Sequence, residues 1–384
     1  MIEATLPVVG AHIGRISELF YDKLFAAAPS LRTDLFNRTN QENREQQKAL
    51  ASSVAAFATL LVTEDAADID AIMARIAAKH ASLGVQAPHY EVVRHQLFAA
   101  IAEVLGDAVT PEVAAAWREV YTLMANSLIE QEAALYDKAG VRHGQVWRVV
   151  VVTDVQFDGA EVATLTLRSL DGTPLPDFLP GQYISIATTL GDGTRQIRQY
   201  TLVRSHVPGE WAVTVKRVRG GIVSPFLAGG VGIGTELVVS HPFGSLVVED
   251  GDDPLVLISA GIGITPTLAA LQHLAAHRSE REVLVVHVDR STYDHPRRAE
   301  TQALVDRLPR ARMQTRYSEF EELREDGHSP LDGVELPTDP QVYVCGPVPF
   351  MRSIRQTLLA AGVSPDAVHY EAFAPGSWLG LAES

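Results

Sequence analysis

The pattern of apolar positions divides the chain into three parts. From Leu6 to Asp137 apolar side chains recur at helical spacing, alanine is common, and glycine and proline are sparse. From about residue 140 the apolar residues alternate with polar ones, as in strands. Beyond about residue 250, short continuous apolar runs alternate with helical segments, which indicates a parallel sheet covered by helices. We expect an all-α domain over residues 1–138, an antiparallel β-barrel over 142–249 and a parallel-sheet α/β domain over 250–384.

The individual elements are bounded by glycine, proline and polar clusters. The first domain is predicted to contain six or seven helices and no strand. Barrel strands are expected at residues 146–152, 162–168, 183–187, 197–203, 211–217 and 237–241. In the third domain, strands are expected at 254–259, 283–288, 313–316 and 342–345, and helices at 267–276, 299–307 and 350–361.

Composition and charge narrow the class of protein. The 384 residues are 46% apolar and 21% charged, which suits soluble domains with sizeable cores. A net charge of −15 argues against nucleic acid or an anionic membrane as a partner, and no apolar run is long enough to span a bilayer. One cysteine, Cys345, and a start without the basic residues of a signal peptide favour the cytoplasm. No obligatory protein partner is evident.

Two polar side chains lie on apolar stripes of the helical domain. His80 continues the stripe of Ile72 and Ile76, and Gln46 lies one turn before Leu50 on another stripe. A histidine in this position is more often an ordinary core residue, and a glutamine is more often at the rim. Together they would flank a slot in which the histidine holds a haem iron and the glutamine hydrogen-bonds a gas ligand.

Two further residues of this domain are candidates. Glu132 falls on the stripe of Tyr121 and Leu128; if it faces inward, an imidazole N–H and a tyrosine hydroxyl would be suitable partners for its carboxylate. The alternative is a solvated position on the helix. For Tyr21, apolar neighbours on both sides leave the inward face ambiguous.

Three motifs in the rest of the chain suggest redox chemistry, and they are described in the order in which they occur. In Arg198-Gln199-Tyr200-Thr201 the arginine can neutralise a phosphate, the tyrosine can stack on a flavin ring and the hydroxyl can bind its edge. Gly261-Ile262-Gly263-Ile264-Thr265-Pro266 joins a predicted strand to a helix, the geometry that binds a pyrophosphate. Cys345-Gly346-Pro347 ends a predicted strand, where its sulfur would lie near a nicotinamide. The alternatives are a plain edge strand for the first motif and a buried structural cysteine for the last.

Two glycine-rich stretches have different interpretations. Gly220-Gly221-Ile222-Val223-Ser224 would open a short helix whose free amides bind a pyrophosphate, although a plain turn is the commoner use of paired glycines. Residues 229–234 precede a predicted strand instead of following one, so we interpret them as a connecting loop.

The chain resembles a known family in both halves. The ordered motifs R-x-Y-[ST], G-x-G-x-T-P and C-G-P resemble those of ferredoxin reductase-like flavoproteins, which move hydride between a nicotinamide and FAD. The helical domain resembles the globin module of bacterial flavohaemoglobins, and the resemblance rests on Phe20–Phe25, Leu35–Asn37, Asn40-Gln41, Lys79-His80 and Tyr90. The resemblance therefore covers essentially the whole chain.

This resemblance implies roles for residues around a haem b. His80 would be the proximal ligand of the iron, with Tyr90 and Glu132 behind it. Tyr21 and Gln46 would be the polar pair on the distal side. The apolar residues of the haem pocket would include Leu50, as a distal wall, and Phe36, packed on the haem face.

The resemblance also implies roles in the reductase half. Tyr183 would contact FAD beside the Arg198–Thr201 motif, Phe373 would cover the flavin, and Glu371 would lie between flavin and haem. The sequence departs from the family at Ile264, often a glutamine, and at Ala372 and Ala374, usually cysteine and glycine. These departures leave the preference for NADH or NADPH open.

By resemblance, the expected function is that of a nitric oxide dioxygenase. NAD(P)H would reduce FAD, FAD would reduce the haem, and NO would be oxidised to nitrate with O2, which implies oxygen binding and NO detoxification. One alternative is a haem- and flavin-containing oxidoreductase that reduces quinones, lipid peroxides or ferric chelates. Another is a haem-based redox or oxygen sensor, against which the hydride-donor motifs count.

Overall fold

The computed structural model describes residues 1–29, 31, 54–55, 57–59, 66–189, 195–318, 329–371 and 373. The chain forms two compact units, one with the residues up to Trp147 and the other with most of Arg148–Phe373. The predicted order of fold types along the chain is confirmed: an all-α domain, an antiparallel barrel and a parallel-sheet α/β domain. Among the helices described, none combines the length and apolar character that crossing a membrane requires.

The described part of the first domain is built from long helices. Their buried faces carry apolar residues at helical spacing, as at Ile16, Phe20 and Leu24 of the first helix. The helices are α1 (Ile2–Ala27), α2 (Ala66–Leu83), α3 (Ala87–Leu105) and α4 (Pro111–Ala139).

Helix α4 has both ends marked by its sequence. The Thr110 hydroxyl accepts a hydrogen bond from the Val113 N–H at 3.3 Å, and Gly140 ends the helix in the left-handed region with φ 66°. Between these ends, Tyr121 and Glu132 lie on the buried face. The caps mark where α4 begins and ends, and the apolar stripe determines which side of it faces the interior.

The second domain is a closed barrel with the strand order β1-β2-β5-β4-β3-β6. Its core includes Leu165, Ile186 and Val213, all fully buried. Strand β1 continues well past residue 152, where its apolar run ends, with an irregularity in register between Val152 and Asp154. The strands are β1 (Trp147–Asp158), β2 (Val162–Ser169), β3 (Tyr183–Thr189), β4 (Arg195–Arg204), β5 (Trp211–Lys216) and β6 (Glu236–Ser240). Between β5 and β6 lies the short helix α5 (Val223–Gly229), and the glycine-rich residues after it are the predicted connection.

The third domain contains a parallel sheet with the order β11-β10-β7-β8-β9. The edge strand β11 was not predicted. Because Ser259 at the end of β7 is paired in register with Cys345 at the end of β10, the loops that follow these two strands lie side by side. The strands are β7 (Leu255–Ala260), β8 (Val283–Asp289), β9 (Ala311–Tyr317), β10 (Gln341–Cys345) and β11 (Val368–Glu371). The helices are α6 (Ile264–Ala276), α7 (Arg298–Asp306) and α8 (Val348–Ala360).

Candidate functional site

Three helices bring His80, Tyr90 and Glu132 together. The Nδ1 atom of His80, in the last turn of α2, lies 2.8 Å from Glu132 Oε1 and 2.9 Å from the Tyr90 hydroxyl. The Tyr90 hydroxyl also donates a short hydrogen bond to Glu132 Oε1. Glu132 is 2% exposed, so its carboxylate depends on these two partners.

The contacts define how the His80 ring is used. Because Nδ1 donates its proton to Glu132, Nε2 is the nitrogen that can bind a metal. Burial and the Glu132 carboxylate raise the pKa of Tyr90, which keeps its hydroxyl a donor. A carboxylate that accepts the other N–H of a ligating histidine increases the basicity of the ring. The residues present therefore fit the proximal side of a haem iron.

Two buried tyrosines, which the sequence analysis did not assign to the site, hold the backbone around the triad. Tyr121 donates to the Tyr90 carbonyl at 2.7 Å, and Tyr136 donates to the Val85 carbonyl at 2.6 Å. Both side chains are almost fully buried, and burial raises the pKa of both hydroxyls. Their place on the α4 stripe was the available signal, but the stripe alone does not reveal backbone partners.

Of the residues predicted for the distal side of the haem, Tyr21 lies in the part of the chain that the structure describes. It is buried on α1, with its ring 4.8 Å from that of Phe20 in an edge-to-face contact. Burial raises the pKa of its hydroxyl, which remains a donor at physiological pH. The other predicted residues of this side lie outside the described residues: Gln46, Leu50 and Phe36.

The first redox motif lies on β4 of the barrel. Thr201 is buried, while Arg198, Gln199 and Tyr200 are half-buried. The Gln199 side chain donates to the Ser185 hydroxyl at 2.9 Å, which ties β4 to β3. Strand alternation puts the arginine and the tyrosine on one face, as flavin binding requires. Tyr183, also predicted to contact the flavin, is buried at the start of β3.

The predicted phosphate loop before α5 has a folded turn. Gly220 has φ 74°, and the Gly221 N–H donates to the Val218 carbonyl at 3.0 Å. The Ser224 hydroxyl accepts the Val218 N–H at 3.1 Å, and Val223 begins the helix. A turn that leads into a helix start presents backbone N–H groups, which suits the pyrophosphate of FAD.

The second and third motifs pack against each other at the carboxyl edge of the parallel sheet. A Cβ at Gly263 would lie 2.3 Å from the Cys345 carbonyl oxygen, so only glycine permits this approach. A Cβ at Gly346 would lie 2.8 Å from the Phe350 ring. The Thr265 hydroxyl donates to the Ile262 carbonyl at 3.1 Å. Of the other residues of the two motifs, Gly261 and Pro347 lie in the segments that follow β7 and β10, and Ile264 and Pro266 lie in the first turn of α6.

The cysteine and the C-terminal candidates lie at the same edge. Cys345 is 3% exposed, and burial raises the pKa of its thiol, with a smaller contribution from Glu371. Glu371 ends β11 opposite Cys345 in register. Phe373 is half exposed. The neutral thiol at a strand end suits packing against a nicotinamide better than nucleophilic chemistry.

Lys216 was missed by the sequence analysis. Its Nζ lies 4.0 Å from the position that a Cβ of Gly261 would occupy, and 3.5 Å from the Asp294 carbonyl oxygen. The ammonium therefore lies over the segment Gly261–Gly263, the glycine loop, where it can neutralise a phosphate. The signal available in the sequence was a basic run, Lys216 to Arg219, between a strand and paired glycines.

Arg290, Arg297 and Arg298 follow β8, where the sequence allows a site for a 2′-phosphate but favours a solvated face; for Arg297 the solvated position is wrong. Arg290 and Arg298 are exposed, and Arg290 pairs with Asp294 at 2.5 Å. The Arg297 side chain is only 12% exposed, because it is held between Glu300 and the barrel.

Comparison with known proteins agrees with each of these domains. A globin model matches residues 18–128, an oxidoreductase FAD-binding domain matches 152–248, and an oxidoreductase NAD-binding domain matches 257–356. These ranges lie inside the three predicted domains, whose boundaries remain a prediction.

Similar proteins are known over the full length. A flavohemoprotein of Bordetella pertussis is 37% identical over 98% of this chain and 97% of its own. The structure of a flavohemoglobin from Malassezia yamatoensis, with bound FAD and heme, matches with a TM-score of 0.89 at 34% identity, over 97% of both chains. The FAD/NAD-binding domain of a nitric oxide dioxygenase from Vibrio cholerae matches with a TM-score of 0.55 at 33% identity, covering 60% of this chain and 100% of that one.

The fold and the site thus define a globin joined to a nicotinamide-dependent flavin reductase. The chain belongs to the flavohemoprotein family. As a member, it is an NAD(P)H-dependent oxidoreductase whose cofactors are haem and FAD.

Proposed function

We propose that this flavohemoprotein is a nitric oxide dioxygenase, which converts two NO and two O2 into two nitrate ions for each NAD(P)H oxidised. The observation that carries the proposal is the His80–Tyr90–Glu132 triad. The likeness to the reductase domain of the Vibrio cholerae nitric oxide dioxygenase supports it. When bound, haem supplies an iron that takes up O2, and FAD accepts a hydride and passes on single electrons.

On the proximal side, His80 would hold the iron through Nε2, because Nδ1 is engaged by Glu132. Glu132 holds the proton on Nδ1 and so gives the imidazole part of the character of an imidazolate, which would make His80 a stronger donor to iron. Tyr90 donates to the same carboxylate oxygen and keeps Glu132 in place. The buried Tyr121 fixes the backbone from which Tyr90 projects.

On the distal side, the Tyr21 hydroxyl would serve as a hydrogen-bond donor to the substrate O2. Its raised pKa keeps the proton on the hydroxyl. Gln46 is the second polar residue in this proposal, and the apolar members are Leu50 and Phe36.

The reductase residues hold and orient the two nucleotides. Arg198 would neutralise an FAD phosphate, Tyr200 and Tyr183 would pack on the flavin, and Gln199 and Thr201 would bind its polar edge. The residues that bind the FAD pyrophosphate are Gly221, Val223 and Ser224. The residues that bind NADH or NADPH are Gly261, Ile262, Gly263, Ile264, Thr265, Pro266, Cys345, Gly346, Pro347 and Lys216. Glu371 and Phe373 lie beside the flavin at the C-terminal edge.

The test is a measurement of stoichiometry with the purified holoprotein. In the presence of NADH and O2, we expect NO to disappear at an electrode while two nitrate ions form for each NADH oxidised. Because the reaction draws on NAD(P)H, we place it in the cytoplasm. Unchanged NO alongside rapid reduction of quinones or ferric chelates would refute the proposal and favour a reductase of other acceptors.

A further inference from the structure

One arginine joins the nucleotide domain to the flavin barrel. The guanidinium of Arg297, just before α7, donates to the Thr164 hydroxyl at 2.6 Å and to the Thr214 hydroxyl at 3.1 Å. It also donates two hydrogen bonds to Glu300 Oε2, one from Nε at 2.8 Å and one from Nη2. The Arg297 backbone N–H donates to the Asp158 carboxylate at 2.5 Å. A single residue thus contacts three barrel strands, β1, β2 and β5.

Two threonine hydroxyls on the barrel accept hydrogen bonds from this guanidinium. Thr164 and Thr214 face each other in register on β2 and β5, and their hydroxyls lie 3.0 Å apart. They alternate with the core residues Leu165 and Val213, so they lie on the outer face of the barrel. Both are less than a tenth exposed. The fixed fork of an arginine can reach both hydroxyls and a carboxylate at once, which a lysine cannot.

The network continues to the helix that follows the glycine loop. Gln272 of α6 donates to Glu300 Oε1 at 2.8 Å and accepts the Arg204 N–H at 2.7 Å. Arg204 ends β4, the strand that carries the Arg198–Thr201 motif. Helix α6 begins at Ile264, within the second motif. Two segments with predicted nucleotide contacts are therefore tied to each other through the buried side chain of Gln272.

The backbone supports a specific role for this residue. Arg297 has φ 55°, a backbone conformation that residues other than glycine rarely adopt. Such a conformation persists where surrounding contacts determine it, and here the backbone and the side chain are both anchored to the barrel. Arg290 and Arg298, in the same segment, have exposed side chains.

We propose that Arg297 is a positioning residue for hydride transfer. By fixing α6 and α7 on the barrel through Thr164, Thr214 and Glu300, it sets the distance between a nicotinamide held at the glycine loop and the flavin held by the barrel. Hydride transfer requires the reacting atoms at about 3–3.5 Å, and a displacement of about 1 Å lowers the rate by up to about a hundredfold. The inference requires the NAD(P)H-dependent reductase reaction and is independent of the dioxygenase proposal.

The experiment measures anaerobic reduction of FAD in the holoprotein by stopped flow, without O2 or NO. For Arg297→Ala we expect the limiting rate constant to fall about tenfold or more, while the NADH concentration at half-saturation changes less than about threefold. The FAD content and midpoint potential should stay at the wild-type values, and the charge-transfer absorbance of the NAD+ complex of the reduced flavin should weaken. Arg310→Ala, which removes an exposed pairing with Glu282 in the same domain, is the matched control and should behave as wild type.

A second variant decides the question if Arg297→Ala does not give folded holoprotein. The double substitution Thr164→Val and Thr214→Val removes both hydroxyls at nearly constant shape and leaves the Arg297–Glu300 pair intact. We expect it to lower the limiting rate while binding of NADH stays near the wild-type value. A limiting rate within about twofold of wild type in this variant, or a loss fully explained by lost FAD, overturns the proposal.

Discussion

Nδ1 of His80 lies 2.8 Å from Oε1 of Glu132, although 52 positions separate the two residues in the sequence. The pairing joins the end of α2 to the buried face of α4, and Tyr90 from α3 completes it. A carboxylate with 2% exposure is costly unless it is paired. Its presence beside His80, whose Nε2 is suited to bind iron, indicates that the electronic properties of that histidine depend on it.

The first prediction concerns the substitution Glu132→Gln. A neutral amide accepts the His80 N–H more weakly, so the imidazole becomes a poorer donor to iron. We expect a lower iron–histidine stretching frequency in resonance Raman spectra, a higher haem midpoint potential and about tenfold slower NO consumption. Glu130→Gln, two residues away on the exposed side of the same helix, is the control. Equal frequencies in the two variants would show that Glu132 does not act through the histidine.

The second prediction concerns the close contact between Gly263, in the segment after β7, and the end of β10 at Cys345. In Gly263→Ala the new methyl group would meet the Cys345 carbonyl at 2.3 Å, so the backbone has to move. We expect a loss of about 1–3 kcal/mol in the free energy of unfolding of the nucleotide domain, together with slow reduction of FAD by NADH. Denaturant unfolding and stopped-flow reduction measure the two effects. Gly251→Ala meets no atom within 4 Å and should leave both quantities unchanged.

Local patterns were sufficient for the fold but not for every element. Continuous apolar runs identified β7, β8 and β10 because most residues of these strands are buried. β11 was missed because it is a short edge strand with one buried residue, Val368. The second half of β1 was missed because polar residues such as Asp154 interrupt its apolar run.

The candidate site divides in the same way. Residues with a sequence-local role, such as Gly261 and Gly263, can be predicted as candidates because strand, glycines and helix are adjacent in the chain. Lys216 and Arg297 were missed or assigned to a solvated face because their partners come from distant segments, and spacing along the chain does not encode such contacts. The His80–Tyr90–Glu132 triad is only partly predictable from the sequence. A polar residue on an apolar stripe indicates that its side chain is buried, but the stripe does not reveal which residue it contacts.

The third prediction concerns Lys216, whose ammonium stands over the glycine loop. Removing a charge-assisted contact to a phosphate costs about 1.5–3 kcal/mol, which corresponds to at least about tenfold weaker binding. We therefore expect Lys216→Ala to raise the KM for NADH about tenfold in a ferricyanide-reduction assay, with a weaker dependence of KM on salt. Arg168→Ala removes an exposed cation from the same barrel and should leave KM as it is. A normal KM for Lys216→Ala would place the phosphates elsewhere.

The last prediction concerns the dependence of stability on pH through His295. Burial, followed by the neighbouring His287 and Arg298, lowers the pKa of His295 to about 3 in the folded protein, from 6.5. Between these values the unfolded chain binds a proton that the folded protein does not. The contribution of His295 is therefore complete above about pH 6.5 and is lost as the pH falls toward 3, by about 1.4 kcal/mol per pH unit. In His295→Phe, which keeps the ring stacked on His287 but cannot be protonated, urea unfolding at pH 5 and pH 7 should show a smaller loss of stability on acidification. The exposed His206→Gln should retain the wild-type slope, and an unchanged slope in His295→Phe would mean that this histidine is not neutral in the fold.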